Sequence, residues 1–128
     1  MDINNLNILV LAYIGDSVYE NFIRHYLVNR GISKVEDLQK ESIKYVSAKA
    51  QASILYNMID NNFLTENELT IYHRARNYKS SRHPKNTPIV TYKVATGFEA
   101  IIGYLDFTHN EERLNAFIKY ILDGDIKC

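Results

Sequence analysis

Apolar side chains recur at intervals of three or four residues along most of this chain, and this spacing predicts a series of amphipathic helices. Only two prolines and five glycines interrupt the 128 residues, which favours long regular elements. The length fits one ordinary domain. We therefore expect a single all-helical domain of about six helices that covers residues 1–128. In the first expected helix, about Leu6 to Asn29, the apolar positions are Val10, Leu11, Ile14, Val18, Phe22 and Leu27.

Small polar residues mark the expected starts of the next three helices. The predicted N-caps are Ser33, Ser47 and Thr65, because a hydroxyl at this position can accept a hydrogen bond from a free amide of the first turn. An acid three positions after the cap, Glu36 in one helix and Glu68 in another, completes the pattern of a capping box.

Glycines and prolines mark the expected helix ends and one loop. Gly31 should end the first helix in a left-handed conformation, and Gly124 should end the last one. Residues 77–88 contain both prolines together with serines and basic residues, which predicts a loop. The apolar segment from Ile89 to about Phe107 favours a helix, although its β-branched start leaves a strand possible there.

Cysteine content and hydropathy bear on where the protein works. Cys128 is the sole cysteine, so an internal disulfide is excluded, and we expect a cytoplasmic protein. The apolar run from Leu6 to Gly15 is much shorter than the roughly 18 to 20 residues that span a membrane. No basic segment precedes it, so we interpret it as a buried helix and expect no membrane partner.

The formal net charge is zero, but the charges are unevenly distributed. No acidic residue lies between Glu68 and Glu99, although the chain has fifteen acids in all. A local excess of positive charge is typical of a phosphate-binding surface, whereas the alternative is ordinary solvated surface. We call residues 74–85 the basic segment. Its candidate RNA-binding residues are Arg74, Arg76, Lys79, Arg82 and Lys85.

An acid inside the apolar first helix is a candidate for chemistry. Asp16 follows Gly15, a residue that costs roughly 1 kcal/mol relative to alanine in a helix interior. Glu20 lies four positions later and therefore shares a face with Asp16. A carboxylate in apolar surroundings is costly unless it is paired or binds a metal. The structural alternative is that Asp16 bonds to a neighbouring helix end and that Gly15 only allows close packing.

Glu99 is a second acid in an apolar helix, and Gly103 lies four residues later. If Gly15 and Gly103 let their two helices approach closely, Asp16 and Glu99 would meet at the crossing. Two carboxylates held together repel unless a cation lies between them. Magnesium is the natural occupant, since it takes few carboxylates and keeps water molecules that phosphate oxygens can replace. The alternative is an ion pair between Glu99 and an arginine near the end of the fourth helix.

The residues also resemble a known family. Four blocks agree in order and spacing, over nearly the whole chain, with the mini-ribonuclease III family. They are LAYIGDSVYE at residues 11–20, KYVSAKAQ at 44–51, RARN at 74–77 with PKN at 84–86, and TY at 91–92 with FEAIIGY at 98–104.

The resemblance implies a ribonuclease III-like fold and a homodimer that cleaves double-stranded RNA with Mg²⁺, for which Mn²⁺ can substitute. It also implies processing of the precursor of large-subunit (23S) ribosomal RNA, 5′-phosphate and 3′-hydroxyl products, and no separate RNA-binding domain. By position, Asp16 resembles the catalytic aspartate, which also binds metal, and Glu99 the metal-binding glutamate. Glu20 is a weaker metal candidate. Ala12 and Thr96 stand where full-length ribonuclease III has further acids, so the metal shell looks thinner.

Two other functions remain open from the sequence. One is a non-catalytic double-stranded-RNA-binding protein of the same fold, for instance a ribosome-assembly factor. The presence of both Asp16 and Glu99 argues against it. The other is a helical protein–protein adaptor, which would leave the basic segment and the two acids unexplained.

Overall fold

A computed structural model describes residues 5–79 and 84–126, with side chains up to residue 124. Within these ranges the chain forms six α-helices and no β-strand, which confirms the predicted all-helical fold. Among the described residues, no helix is both long and apolar enough to cross a membrane. The helices are α1 (Ile8–Asn29), α2 (Val35–Val46), α3 (Ala48–Asp60), α4 (Glu66–Arg76), α5 (Ile89–Phe107) and α6 (Glu111–Ile126).

Helix α5 lies at the centre because it is apolar on nearly every side. A helix of this kind must be covered all round, and α1, α3, α4 and α6 pack against it. The strand considered for its start is not observed, since Ile89 is already helical and follows Pro88 as the N-cap. The fully buried side chains of α5 include Val94, Phe98, Ile101 and Ile102.

Helix α1 buries one apolar face and exposes another. Its inward residues include Leu11, Tyr19 and Ile23, each of which is fully buried. Val10, which the spacing placed among the apolar positions, is 45% exposed, and neighbouring Tyr13 is 73% exposed. The apolar surface of α1 therefore extends beyond the face that packs against the rest of the chain.

Most predicted caps are confirmed. Ser47 accepts a hydrogen bond from the Ala50 amide, and Thr65 with Glu68 forms a complete capping box. Gly31 has a φ of +96°, the left-handed conformation expected after the end of α1.

Two predicted boundaries are wrong. The N-cap of α2 is Lys34, not Ser33, and it makes no side-chain cap hydrogen bond. Ile32 packs against the core and donates its amide to the Leu27 carbonyl, so α2 begins one residue later than the cap pattern indicated. Gly124 does not end α6, which continues to Ile126, because a glycine in an exposed helix costs only about 1 kcal/mol.

A buried ion pair joins α4 to α6. Glu68 is 1% exposed, and Arg113 donates to both of its carboxylate oxygens, at 2.8 Å and 2.7 Å. The same guanidinium donates to the Phe63 carbonyl at 2.7 Å. Because the charge of Glu68 is paired and hydrogen-bonded, this buried acid has a structural explanation.

Candidate active site

Helices α1 and α5 meet backbone to backbone at Gly15 and Gly103. A Cβ atom added to Gly15 would overlap the Glu99 carbonyl oxygen and lie 2.8 Å from the Gly103 nitrogen. A Cβ atom added to Gly103 would overlap the Leu11 carbonyl oxygen and lie 3.0 Å from the Gly15 nitrogen. Neither position has room for a side chain, so the close approach predicted from the two glycines is confirmed.

This crossing brings the side chains of Asp16 and Glu99 together. Asp16 is exposed, whereas Glu99 is half-buried. Burial, hydrogen bonding to Asp16 and the negative charge of Asp16 raise the pKa of Glu99 to about 8. A pair of carboxyls in this state holds either a proton or a cation near neutral pH.

Glu20 contributes to the site mainly through its charge. Its negative charge adds to the rise in the pKa of Glu99, but its carboxylate pairs with Arg24 at 3.1 Å. In the part of the chain that the structure describes, no three His, Cys, Asp or Glu side chains are grouped as a metal cluster. Of Asp16 and Glu20, Asp16 is the carboxylate that also hydrogen-bonds to Glu99.

The buried amide of Gln51 is a part of the site to which the sequence analysis gave no role. Gln51 is 2% exposed, and its Nε2 donates to the Val46 carbonyl at 3.1 Å and to Glu99 Oε2 at 3.5 Å. Its Oε1 is buried and has no hydrogen-bond partner among the described residues. The sequence signal was a polar residue four positions before Leu55, on the buried face of α3.

Tyr19 anchors α1 next to the site. Its hydroxyl donates to the Tyr45 carbonyl at 2.9 Å, and its ring lies edge-on to Phe98 with centroids 4.8 Å apart. Burial raises the pKa of Tyr19 above its usual value, so the hydroxyl stays protonated and keeps donating. The backbone carbonyls at the end of α2 are thus bound by side chains from both α1 and α3.

The basic segment is only partly free for a ligand. Arg74 is half-buried and donates to the Leu6 carbonyl at 2.7 Å, which ties the end of α4 to the residues before α1. Arg76, Lys79 and Lys85 are exposed. Arg82 lies outside the described residues. Arg74 and Arg76 also stand in the last turn of α4, where positive charge favours the helix dipole.

The arrangement fits a small, hard divalent cation. Asp16 and Glu99 offer carboxylate oxygens that the helix crossing holds together. Magnesium prefers oxygen ligands, uses few carboxylates and retains several water molecules. The alternative ion pair of Glu99 with an arginine is not supported, since the groups that shift its pKa are the carboxylates of Asp16 and Glu20 and the amide of Gln51.

The raised pKa of Glu99 predicts a pH-dependent stability for the metal-free protein. Between its ordinary pKa of 4.5 and the raised pKa of about 8, Glu99 binds more proton in the folded state than in the unfolded state. The free energy of unfolding should therefore fall as pH rises through this range, by on the order of 3 kcal/mol relative to Glu99→Gln. Urea denaturation of both proteins in a chelator at several pH values measures the difference. A difference that stays constant from pH 5 to pH 8 contradicts the prediction.

Comparison with known proteins decides the family. Residues 9–110, which include Asp16 and Glu99, match the family model described as Ribonuclease III domain. The chain is 44% identical over 122 residues to Mini-ribonuclease 3 of Streptococcus pneumoniae, covering 95% of each chain. It is 47% identical over 121 residues to Mini-ribonuclease 3 of Enterococcus faecalis, covering 94% of this chain and 92% of the relative. The chain belongs to the mini-ribonuclease III family.

A solved structure agrees with this mini-ribonuclease III assignment. A crystal structure of a Fusobacterium nucleatum protein superposes with a TM-score of 0.84 at 34% identity, covering 97% of this chain and 98% of that one. The resemblance carried by the four sequence blocks is thereby confirmed at the level of family and fold.

Proposed function

We propose that this mini-ribonuclease III chain is a divalent-metal-dependent endoribonuclease that cleaves double-stranded RNA. The observation that carries the proposal is the contact of Asp16 and Glu99 at a backbone crossing that leaves no room for a side chain at Gly15 or Gly103. Carboxylates held together in this way are costly for the fold alone but suit a cation. In this proposal, residues 1–128 act as one catalytic domain.

The reaction is hydrolysis of a phosphodiester. Water oxygen bonds to phosphorus as the bond from phosphorus to the 3′ oxygen breaks, and the 3′ oxygen takes a proton, giving 5′-phosphate and 3′-hydroxyl ends. A bound magnesium ion, or manganese in its place, would lower the pKa of the attacking water and neutralise charge on the phosphate. Asp16 and Glu99 would hold the ion in their ionised forms, with Asp16 as the essential catalytic residue and Glu20 as a weaker candidate ligand.

The rigidity of the α1–α5 crossing supports this use. Backbone contact at Gly15 and Gly103 fixes the Cα positions of Asp16 and Glu99 relative to each other. Carboxylates whose backbone is already fixed lose little conformational freedom when a cation binds. A preformed site of this kind suits catalysis.

A homodimer would supply one site for each strand of a duplex. A two-fold interface brings the same surface of both subunits together. The exposed apolar face of α1 suits this role, since Leu9, Val10 and Tyr13 are 37%, 45% and 73% exposed. Sedimentation at micromolar concentration should give the mass of a dimer, and a monomer that still makes double-strand cuts contradicts the arrangement.

The substrate that we propose is the precursor of large-subunit (23S) ribosomal RNA in the cytoplasm. Recognition of A-form RNA generally relies on its shape, its 2′-hydroxyls and its phosphates. The RNA-binding residues would be those of the basic segment, together with the surface around Asp16. The names of the relatives, Mini-ribonuclease 3, support RNA as the substrate class.

The experiment that tests the function is incubation of purified protein with a long RNA duplex, with and without Mg²⁺. A single strand of the same sequence serves as the control substrate. We expect cleavage of the duplex with Mg²⁺ and none in a chelator. Tight duplex binding without cleavage at any Mg²⁺ concentration would instead support the non-catalytic RNA-binding protein.

Neutralising the basic segment should weaken duplex binding and reduce its dependence on salt. With Arg76, Lys79, Arg82 and Lys85 all changed to glutamine, each lost phosphate contact lowers the slope of log affinity against log salt by about 0.9, a value calibrated on B-DNA. Cleavage at saturating RNA should fall much less. Filter binding at several salt concentrations, with Asp16→Asn as the uncleaving parent, measures the slope.

Three exposed lysines, one on α2, one on α6 and one at the N-cap of α2, provide a control for the loss of positive charge. Glutamine at Lys40 and Lys119, together with Lys34 at the N-cap of α2, should leave the slope nearly unchanged. An unchanged slope in the variant of the basic segment removes that segment from the RNA-binding surface.

A further inference from the structure

We propose that Gln51 is a positioning residue of the metal centre, and that its buried amide orients the Glu99 carboxylate toward the bound cation. The inference rests on the proposed function, in which Asp16 and Glu99 hold a divalent metal. It adds a residue from α3 to a site that otherwise consists of α1 and α5.

The burial of Gln51 is unfavourable for the fold by itself. The side chain is 2% exposed, and one of its polar atoms, Oε1, has no hydrogen-bond partner among the described residues. A buried polar atom without a partner costs roughly 1 to 3 kcal/mol. Leu55 and Met58, on the same face of α3, are fully buried. An apolar side chain at position 51 would therefore suit the packing at least as well as the amide.

The two acceptors around Gln51 determine how its amide is turned. The Val46 carbonyl can only accept a hydrogen bond, and it lies 3.1 Å from Nε2. Glu99 Oε2, 3.5 Å from the same nitrogen, also accepts when the carboxylate is ionised. Rotating the amide by 180° would face its oxygen toward both acceptors. The NH₂ group is therefore held toward Val46 and Glu99.

This contact links Glu99 to a fixed point of the backbone. Val46 is the last residue of α2, and Ser47 directly caps α3, so the carbonyl that anchors Gln51 lies at a helix junction. One N–H group of the Gln51 amide donates to that carbonyl, and the other donates to Glu99 Oε2. Gln51 thus links the orientation of the Glu99 carboxylate to the junction between α2 and α3.

The test is Mn²⁺ binding, measured by electron paramagnetic resonance on the full chain, for wild type and Gln51→Leu. Loss of a partner that orients a metal ligand typically weakens metal affinity about 10- to 100-fold, so we expect at least tenfold weaker binding. Thermal denaturation in a chelator should give Gln51→Leu a melting temperature close to that of wild type, because removal of the unpartnered oxygen offsets loss of the hydrogen bond to the Val46 carbonyl. A purely structural role predicts the opposite pair of results.

Two further variants make the outcome decisive. Gln51→Asn keeps the amide but shortens the side chain, so it should also bind Mn²⁺ more weakly. If Gln51→Leu does not fold, the Mn²⁺ affinity of Gln51→Asn tests the inference in its place. Gln39→Leu, at an exposed glutamine of α2, should bind Mn²⁺ as wild type does. Wild-type affinity in the folded Gln51 variants overturns the inference alone. Failure of the wild-type protein to bind Mn²⁺ overturns the proposed metal centre, and the inference with it.

Discussion

Replacing Asp16 by asparagine is expected to abolish cleavage of double-stranded RNA while the folded structure is retained. The amide has nearly the same volume as the carboxylate but lacks the negative charge that a cation needs. Loss of one member of a catalytic unit typically costs about 10³-fold or more in rate. Because Asp16 is exposed, the substitution leaves no buried polar atom without a partner.

The measurement is a single-turnover cleavage rate at saturating duplex and Mg²⁺, accompanied by circular dichroism and sedimentation. Asp106→Asn is a matched control, since Asp106 is an exposed aspartate on α5. The control should cleave at the wild-type rate. Turnover by Asp16→Asn within a few-fold of wild type rules Asp16 out as the catalytic residue.

Gly15→Ala is expected to destabilise the fold strongly and to remove activity with it. The added Cβ would overlap the Glu99 carbonyl oxygen, which is a backbone atom of the central helix and cannot rotate away. Relief requires α1 and α5 to separate along their contact. Overpacking of this kind costs about 3 kcal/mol or more, and the separation also moves Asp16 away from Glu99.

Urea denaturation of Gly15→Ala beside Gly124→Ala measures the effect. A Cβ atom at Gly124 meets nothing within 4 Å, and that residue lies in helix α6. Gly124→Ala should therefore be neutral or stabilise the protein by up to about 1 kcal/mol, as expected for alanine in a helix. Equal midpoints for the two variants would show that α1 and α5 do not meet at Gly15.

The helices and their crossing could be predicted because both depend on local pattern and on a simple steric argument. Periodic apolar residues defined the elements, and two glycines in apolar helices marked a place where backbones can touch. The contact of Asp16 with Glu99 followed from that crossing. Asp16 and Glu99 lie far apart in the chain, but each is next to or one turn from a glycine that marks the same crossing, which is why the sequence was informative here.

Other features depend on tertiary contacts that no local pattern contains. Gln51 is buried because α3 packs against α5, and its acceptor Val46 belongs to a third helix. Glu68 was predicted only as part of a capping box. It also binds Arg113 of α6, which lies 45 residues later in the chain. Arg74 was assigned to RNA binding from its charge, whereas its guanidinium donates to the Leu6 carbonyl.

We propose above all that Asp16 and Glu99 together hold a divalent cation for cleavage. The dependence of the cleavage rate on Mg²⁺ concentration in Glu99→Gln tests this claim most directly. We predict that the half-saturating Mg²⁺ concentration rises about tenfold or more and that raised Mg²⁺, or Mn²⁺, partly restores the rate. A rate that falls while the half-saturating Mg²⁺ concentration stays at the wild-type value would contradict the account, because Glu99 would then not be a metal ligand.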